Sequence, residues 1–574
     1  MRREIPGQTG RLIRTVVHLR PAQVASRVRL RSQKAVLSRW GPSLASRLAR
    51  PVGARWGWPE GYVPLDAALV PPGRPAEVDG TFTLLNVTRQ LGEPPDWEQA
   101  AASQLWRYHL HYWEWAWPLL QAGDPTWARE GFARMWRSWN AGTRFGRWDA
   151  WSPYVVSLRT WVLCGLHGSL VAGAEWERGF VDAIAGHAGY VFANVERDVG
   201  GNHLIKNLKA LVGAGVFLQD ERLISRGASE LAKQIGIQVL ADGGHYERSP
   251  SYHCQVLGDL LDIEALLAAA GSEPVPGLAD AVQRMRVWLG AMTLPDGSVP
   301  LLNDCVPVDA ERMGALGPIA PPDGPLIVLQ PSGYVVIRKG PWHLIADVGP
   351  PCPPDLPAHA HADTLSFVLS VDGEPVIVDT GTSEYGDNPR RRYERSTAAH
   401  NTVEIDGQNS TEVWGAFRAG RLARPCLEVT DAMDDVVVLT GRHDGYRHLR
   451  GEPVHRRTWT VSPSTIDLVD EMLGDGQHDA ALHLHTDGVC TIARSVATLG
   501  PIVAAVCDGV ARLADDSSGD LTRVSAGFGS VVSTGCLEVR TAGVLPLRMH
   551  VRLSPVTGGS AATAHPPADP APTP

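Results

Sequence analysis

The 574-residue sequence contains no unbroken apolar run long enough to cross a bilayer, which argues against a helical membrane span. Cysteine is sparse: eight residues, Cys164, Cys254, Cys305, Cys352, Cys426, Cys490, Cys507 and Cys536, with no CxxC pair among them. Such scatter fits neither a disulfide framework nor a cysteine zinc ribbon, so buried free thiols are expected. A secretory leader would need an apolar core behind its basic start, and "RLIRTVVHLRPAQVASRVRL" never supplies one. Positive charge is confined to one end. The first 50 residues hold twelve Lys/Arg and one acid, a net of +11, so a whole-chain charge of −9 leaves −20 for the remainder. Nucleic-acid binding is therefore not expected. The arm, residues 1–60, reads either as an amphipathic helix for an anionic surface or polymer, or as a solvated helix packed outside the fold.

What is present divides into two periodicities. From 61 to 322 apolar residues recur at three- and four-residue spacing, as in "PTWAREGFARMWRSWNAG" and "HLIKNLKALVGAGVFLQ", with Gly, Pro and Asp clusters between. Serial antiparallel helix pairs of this kind predict an (α/α) toroid. After "PPDGP" the period becomes two. "LSFVLSVDGEPVIVDTG" reads as a strand, a hairpin turn and a strand, and similar segments continue to 555. The expected fold class is multidomain α + β: an N-terminal toroid followed by a C-terminal antiparallel β-sandwich over 323–555. The Pro/Ala/Thr-rich residues 556–574 are expected to be a disordered tail.

Nine of the 19 tryptophans, Trp106, Trp113, Trp115, Trp117, Trp136, Trp139, Trp148, Trp151 and Trp161, crowd one part of the helical half. Most are expected in the core, with two or three lining a groove where sugar rings could stack.

Four polar segments carry candidate chemistry. In "GGNHLIKN", Gly200 and Gly201 permit a tight turn and close approach, and Asn202 is either a helix N-cap or a ligand group beside His203. In "DGGHYERSPSYH", Tyr252 falls in a first helical turn after Pro250. With an intrinsic pKa of about 10, only ~0.1% of a tyrosine is phenolate at neutral pH, so a catalytic role calls for a nearby cation. Arg248, His203 and Arg159 are the candidates. In "HAHADTLSF", His359 and His361 lie two apart and share one side of an extended segment. With Asp379 and His400 nearby, the pair is either a hydrogen-bonded loop or part of a three-ligand zinc site. Finally "NPRRRYERSTAAHN" gathers Arg390, Arg391, Arg392 and Arg395, a local anion site or a solvated loop.

Taken in order, "FTLLNVTRQLG", "LWRYHLHYWEW", "PYVVSLRTW", "GNHLIKNLKALVGAG", "DGGHYERSPSYH", "LPDGSVPLLND", "HAHADTLSFVLSVDGEPVIVDTGT", "RSTAAHNTVEIDGQNSTEVWGAFRAG" and "HDGYRHLRGEPVHRRTW" resemble the heparinase II/III-like polysaccharide lyases over most of the chain. The resemblance implies β-elimination on a uronic-acid-containing polysaccharide of heparin/heparan-, alginate- or exopolysaccharide-like type. It implies Asn202 and His203 near the substrate carboxylate, Tyr252 as base, acid or both, and His359 sharing proton transfer or charge neutralisation. Arg159, Arg248 and Arg395 become candidates for binding substrate. It also implies a structural Zn2+ on His361, Asp379 and His400. Members of this kind are often exported, to the cell envelope, periplasm or exterior. The absent leader core leaves a cytoplasmic location open as well. A non-catalytic glycan-binding or surface-polysaccharide assembly protein on this fold is the alternative, and a zinc hydrolase a third reading.

Overall fold

A computed structural model describes residues 8–48, 52–71, 76–147, 149–320, 323–514 and 522–556. The predicted tail beyond 556, the boundary residues 321–322 and Trp148 lie outside the described residues.

Helices occupy the first half. Those spanning Pro125–Gly142, Pro153–Leu170, Glu177–Ala193, Gly201–Leu218, Glu221–Gln238, Pro250–Ala269 and Leu278–Met292 build the toroid. Their starts are written locally. Asp124 and Asp220 side chains accept from backbone N–H groups of the first turn, and Pro125, Pro153 and Pro250 sit where a missing N–H costs nothing. One helix is cut short. The helix Gln104–Tyr112 ends at Trp113, whose φ of 71° turns the chain into a 3-10 segment, Glu114–Gln121, that contains Pro118. Trp113 then sits among Trp97, Trp115, Phe132, Trp136 and Trp139 with ring centroids 4.9 to 6.3 Å away. All eight described members of the tryptophan group are buried, so none lines a groove.

The second half is a sandwich of an eight-stranded and a nine-stranded sheet among the described residues, with antiparallel pairing throughout. The "VDGEP" turn joins Phe367–Val371 to Glu374–Ile377, with Asp372 and Gly373 at φ 50° and 100° as a two-residue hairpin requires. Burial shows why the halves dock. Val454–Val461 and Ile466–Leu473 alternate buried with half-buried, as a one-sided sheet should. Phe367–Val371 is buried at every position. Its odd residues, with Val335 and Leu344, fill the sandwich core, whereas Val368, with Tyr334, Val336 and Ile345, packs on Trp288, Ala291 and Met292 of the last toroid helix. Ser332 ties the same seam: Asp242 accepts its N–H and Oγ–H at 2.8 and 2.7 Å, and its Oγ accepts from Trp288 Nε1 at 2.9 Å.

The basic arm is two helices, Gln8–Val16 and Pro21–Leu48, laid across both halves. Arg14 donates twice to Glu412, at 2.7 and 2.6 Å, and Thr15 Oγ1 donates to the Ala419 carbonyl at 2.9 Å. Further on, Arg20 pairs with Asp355 at 2.8 Å and Gln23 donates to the Asp355 carbonyl at 3.1 Å. Six cysteines are buried, whereas Cys426 and Cys507 are exposed, contrary to the expectation of uniformly buried thiols. No helix among the described residues is long and apolar enough to cross a membrane.

Candidate active site

Glu247 organises the helical wall of the site. Its Oε1 accepts the backbone N–H of Asn202 and its Oε2 accepts Asn202 Nδ2, both at 2.9 Å. This carboxylate sits at the start of the helix Gly201–Leu218, where unpaired N–H groups favour negative charge. The two glycines make that possible. Gly200 is the N-cap at φ 72°, and a Cβ on Gly201 (φ 54°) would stand 1.7 Å from Glu247 Oε1. Asn202 is thus not the cap that its type suggests; Glu247 fills the role from outside the helix. Asn202 is buried, its Oδ1 has no partner among the described residues, and one of its two amide N–H groups serves Glu247. Burial raises the Glu247 carboxyl, but the neighbouring His359 and His245 imidazoles and the Asn202 N–H groups hold it below the usual value.

His203 follows one residue later. Its ring packs on Tyr154 with centroids 4.1 Å apart, and its Nδ1 lies 3.4 Å from Glu196 Oε1. Burial alone would lower this imidazole, yet Glu196, with Glu247 and Asp198 behind it, raises it above the ordinary histidine value.

Tyr252, in the first turn of Pro250–Ala269, meets the β half directly. Its ring centroid is 4.2 Å from that of His359, and its hydroxyl shares a 2.7 Å hydrogen bond with Tyr385. Burial first, then Tyr385 and the Asp304 charge, push the phenol well above its ordinary value. Neither of the arginines sought in the sequence to activate it, Arg159 and Arg248, has its guanidinium on the Tyr252 hydroxyl. Arg159 is fully buried, donates to the carbonyls of His111 and Ala150, and lies over the Trp139 and Trp151 rings at 4.6 and 5.4 Å. Burial drops it to about 9. Arg248, at φ 59°, donates to the Ser332 and Pro331 carbonyls across the domain seam. Arg395 is also buried and donates to the carbonyls of Ala360, Gly415 and Arg418. Of the three arginines expected to bind substrate, Arg159 and Arg395 are buried and Arg248 is half-buried, and all three guanidiniums donate to backbone carbonyls.

Behind His359 stands a carboxylate that the sequence did not single out. Asp304 comes from the helical half and collects donors from the β half. Its Oδ2 accepts His359 Nδ1 at 2.9 Å and Arg391 Nη2 at 2.8 Å. Its Oδ1 accepts His361 Nε2 at 2.8 Å, Thr382 Oγ1 at 3.2 Å and Arg391 Nη1. Both partners of the Asp304–Arg391 pair are buried. Burial opposes the charge, but Arg391 and the two histidines hold Asp304 well below the carboxylate range. With Nδ1 on Asp304, His359 presents Nε2 toward the site, 3.7 Å from Glu247 Oε2. Arg391, read in the sequence as part of an anion site, does bind an anion, but an internal one.

The expected metal trio is arranged differently. His361 faces Asp304, and His400 Nδ1 is 2.8 Å from Asp379 Oδ2. Among the described residues, no three His, Cys, Asp or Glu side chains stand as a metal-holding group. Four donor atoms nearby are nonetheless buried without hydrogen-bond partners among the described residues: His361 Nδ1, His400 Nε2 and both oxygens of Asp363. The rings of His361 and His400 are 5.2 Å apart, and nitrogen with carboxylate oxygen is a donor set that suits zinc. On donor chemistry the residues fit the ion.

Comparison with known proteins places this geometry. Residues 86–316 match the family model "Heparinase II/III N-terminus", and residues 321–534 match "Heparinase II/III-like, C-terminal". The chain is 29% identical over 420 residues to FtsZ-localized protein C of Caulobacter vibrioides, covering 68% of this chain and 70% of that protein. It is 23% identical over 449 residues to a heparin-sulfate lyase of Bacteroides thetaiotaomicron, covering 67% and 61%, so the match leaves more than a third of that lyase unpaired. Among solved structures, one of heparinase III superposes with a TM-score of 0.74 at 17% identity, covering 92% of both chains. Heparan sulfate lyase HepC from Pedobacter heparinus gives a TM-score of 0.57 at 17% identity, covering 85% and 82%. The toroid, the sandwich and both matched halves make this chain a member of the heparinase II/III-like family, a family of polysaccharide lyases.

Proposed function

We propose that this chain is a lyase that cleaves a uronate-containing acidic polysaccharide by β-elimination. The observation that carries the reading is the meeting of Tyr252 from the toroid with an Asp304-oriented His359 from the sandwich, with the Asn202-bound Glu247 3.7 Å from the same imidazole. The proton at C5 lies α to a carboxylate and resists removal while that group keeps its charge. His203, raised by Glu196 and so favouring imidazolium, and the second N–H of Asn202 would offset it. Asp304 sets the His359 tautomer with the proton on Nδ1, which leaves the Nε2 lone pair as general base. The C5–H electron pair forms the C4=C5 double bond, and the C4–O4 bond breaks. The raised Tyr252 phenol, protonated at neutral pH, delivers its proton to O4. Glu247 Oε2 stands 3.7 Å from the nitrogen that has taken the proton. Transfer of that proton back to Tyr252 resets the site.

A zinc ion, where bound, would be held by His361 and His400 with Asp379 or Asp363, and would supply a cross-link beneath the His359 loop. Metal content by mass spectrometry, with a fall in Tm on chelation, tests that role. A chain without metal whose Tm ignores chelator would overturn it.

The reaction itself is tested by ultraviolet absorbance of unsaturated uronate on heparan sulfate, alginate, hyaluronan and glucuronan. Absorbance growth with at least one polymer is expected. Binding without any double-bond product would favour instead a glycan-binding protein on this fold.

A further inference from the structure

We propose that a hollow between the helix Gln8–Val16 and the segment 409–418 is a second subsite, which takes a carboxylate- or sulfate-bearing sugar of the same polymer. The inference rests on the lyase reading for the identity of the polymer. The cavity is about 460 Å³ and is lined by Arg11, Arg392, Arg418, Asn409 and Trp414, with Arg395 beneath and Asp387 as a carboxylate on the wall. Arg11 and Arg392 keep 53% and 62% of their side chains exposed, so both reach solvent while Arg392 pairs with Asp387 at 3.0 Å and Arg11 lies 3.6 Å from Glu412, exposed pairs that an incoming anion can displace. Arg418 lies over the Trp414 ring at 4.7 Å. An indole face beside several guanidinium forks suits a pyranose that carries a planar or tetrahedral anion.

Two further observations connect this hollow to the catalytic centre. Phe417, 41% exposed, packs its ring 5.3 Å from Tyr385, whose hydroxyl bonds Tyr252. A polymer seated at Tyr252 would therefore run over Phe417 to reach Trp414. The arm also fixes the wall: Thr15 Oγ1 accepts from Trp414 Nε1 at 3.1 Å, while Arg14 holds Glu412. A body carrying −20 repels a polyanion, so binding demands local positive clusters, and Arg11 of the arm adds to the one that Arg392, Arg395 and Arg418 form here.

The test measures binding rather than turnover. Long and short oligosaccharides of heparan sulfate and alginate are titrated into the Tyr252→Phe protein, with carboxyl-reduced alginate as the uncharged probe. Arg392→Ala and Arg418→Ala are then added singly and together, with Arg11→Gln as a third substitution outside the sandwich. Each arginine lost is expected to weaken long-chain binding by about tenfold at low salt, the size of a charge-assisted hydrogen bond. The loss should shrink at high salt. Long-chain affinity unchanged by all three substitutions would overturn the subsite, even where the unsubstituted enzyme eliminates. Arginine-dependent binding without elimination would leave the subsite standing and remove the lyase reading. No binding to any probe would remove both.

Discussion

The helical and β walls of the site hold their charges in different ways. On the helical wall, His203 and Glu196 form a loose 3.4 Å pair with the imidazole 31% exposed, and the Asn202 amide keeps an N–H in reserve. On the β wall, His359, His361, Thr382 and Arg391 all close on Asp304, and every one of these is at least nine-tenths buried. A loose pair can exchange its partner for a substrate. A closed network cannot, and serves to hold one imidazole in one tautomer. Asp304 itself belongs to the toroid, so this network is also what fastens one half to the other.

The most damaging way to break the contrast is Asp304→Asn. It leaves Arg391 as a buried cation without its counter-charge and frees both histidines, so a stability loss of about 3–5 kcal/mol is expected, together with loss of activity. Denaturant unfolding checks the first and the elimination assay the second. A Tm within a degree or two of the unsubstituted chain would show that the network does not join the halves. Tyr252→Phe probes the open face instead. Removing a general acid should lower kcat about 10²–10⁴-fold while Tm stays put, since the hydroxyl gives up one bond to Tyr385. Equal loss in stability and rate would erase the distinction between the walls.

How far the sequence reveals these walls differs in the same sense. Asn202, His203, Tyr252 and His359 stand out because each is an unusual polar residue beside glycines or a proline, and the period change near 322 marks the two folds that bring them together. Asp304, Glu247 and Glu196 are isolated carboxylates in one dimension. The partners of Asp304 lie 55 to 87 residues downstream, a distance at which no local pattern signals pairing. The only hints are that Asp304 ends "LPDGSVPLLND" and Glu247 sits inside "DGGHYERSPSYH". Arginines mislead for a related reason. Arg391 and Arg395 look like surface charges in a basic run, but one binds a buried acid and the other three carbonyls.

A smaller effect should appear in the pH dependence. The His203 pKa is raised in the folded protein, so the stabilisation from its pairing with Glu196 is complete below the unfolded value of ~6.5 and fades as pH climbs through the folded value. The same ionisation should set the alkaline limb of kcat/KM if imidazolium offsets the substrate carboxylate. His203→Gln is expected to flatten that limb. A limb that persists unchanged in the variant would assign it to another group.

The smallest effect is expected at Arg159, and it sharpens the comparison from outside the site. Like Arg391, Arg159 is a fully buried guanidinium; unlike Arg391, it has no carboxylate, and its Nε and Nη2 lack partners among the described residues. Two carbonyls and two tryptophan rings take the place of the counter-ion. Arg159→Met would forfeit those hydrogen bonds and the cation–π contacts, but it would also lift the cost of burying a charge whose pKa is already depressed to about 9. The opposing changes should leave stability within about 1 kcal/mol and KM for the polymer unaltered, whereas Arg391→Met strands Asp304 and should cost about 3–5 kcal/mol. Paired denaturation curves and initial-rate kinetics read both. A several-fold rise in KM for Arg159→Met would return this arginine to the substrate. Equal destabilisation by the two substitutions would mean that burial alone, not the charge partner across the seam, decides what a buried arginine is worth in this fold.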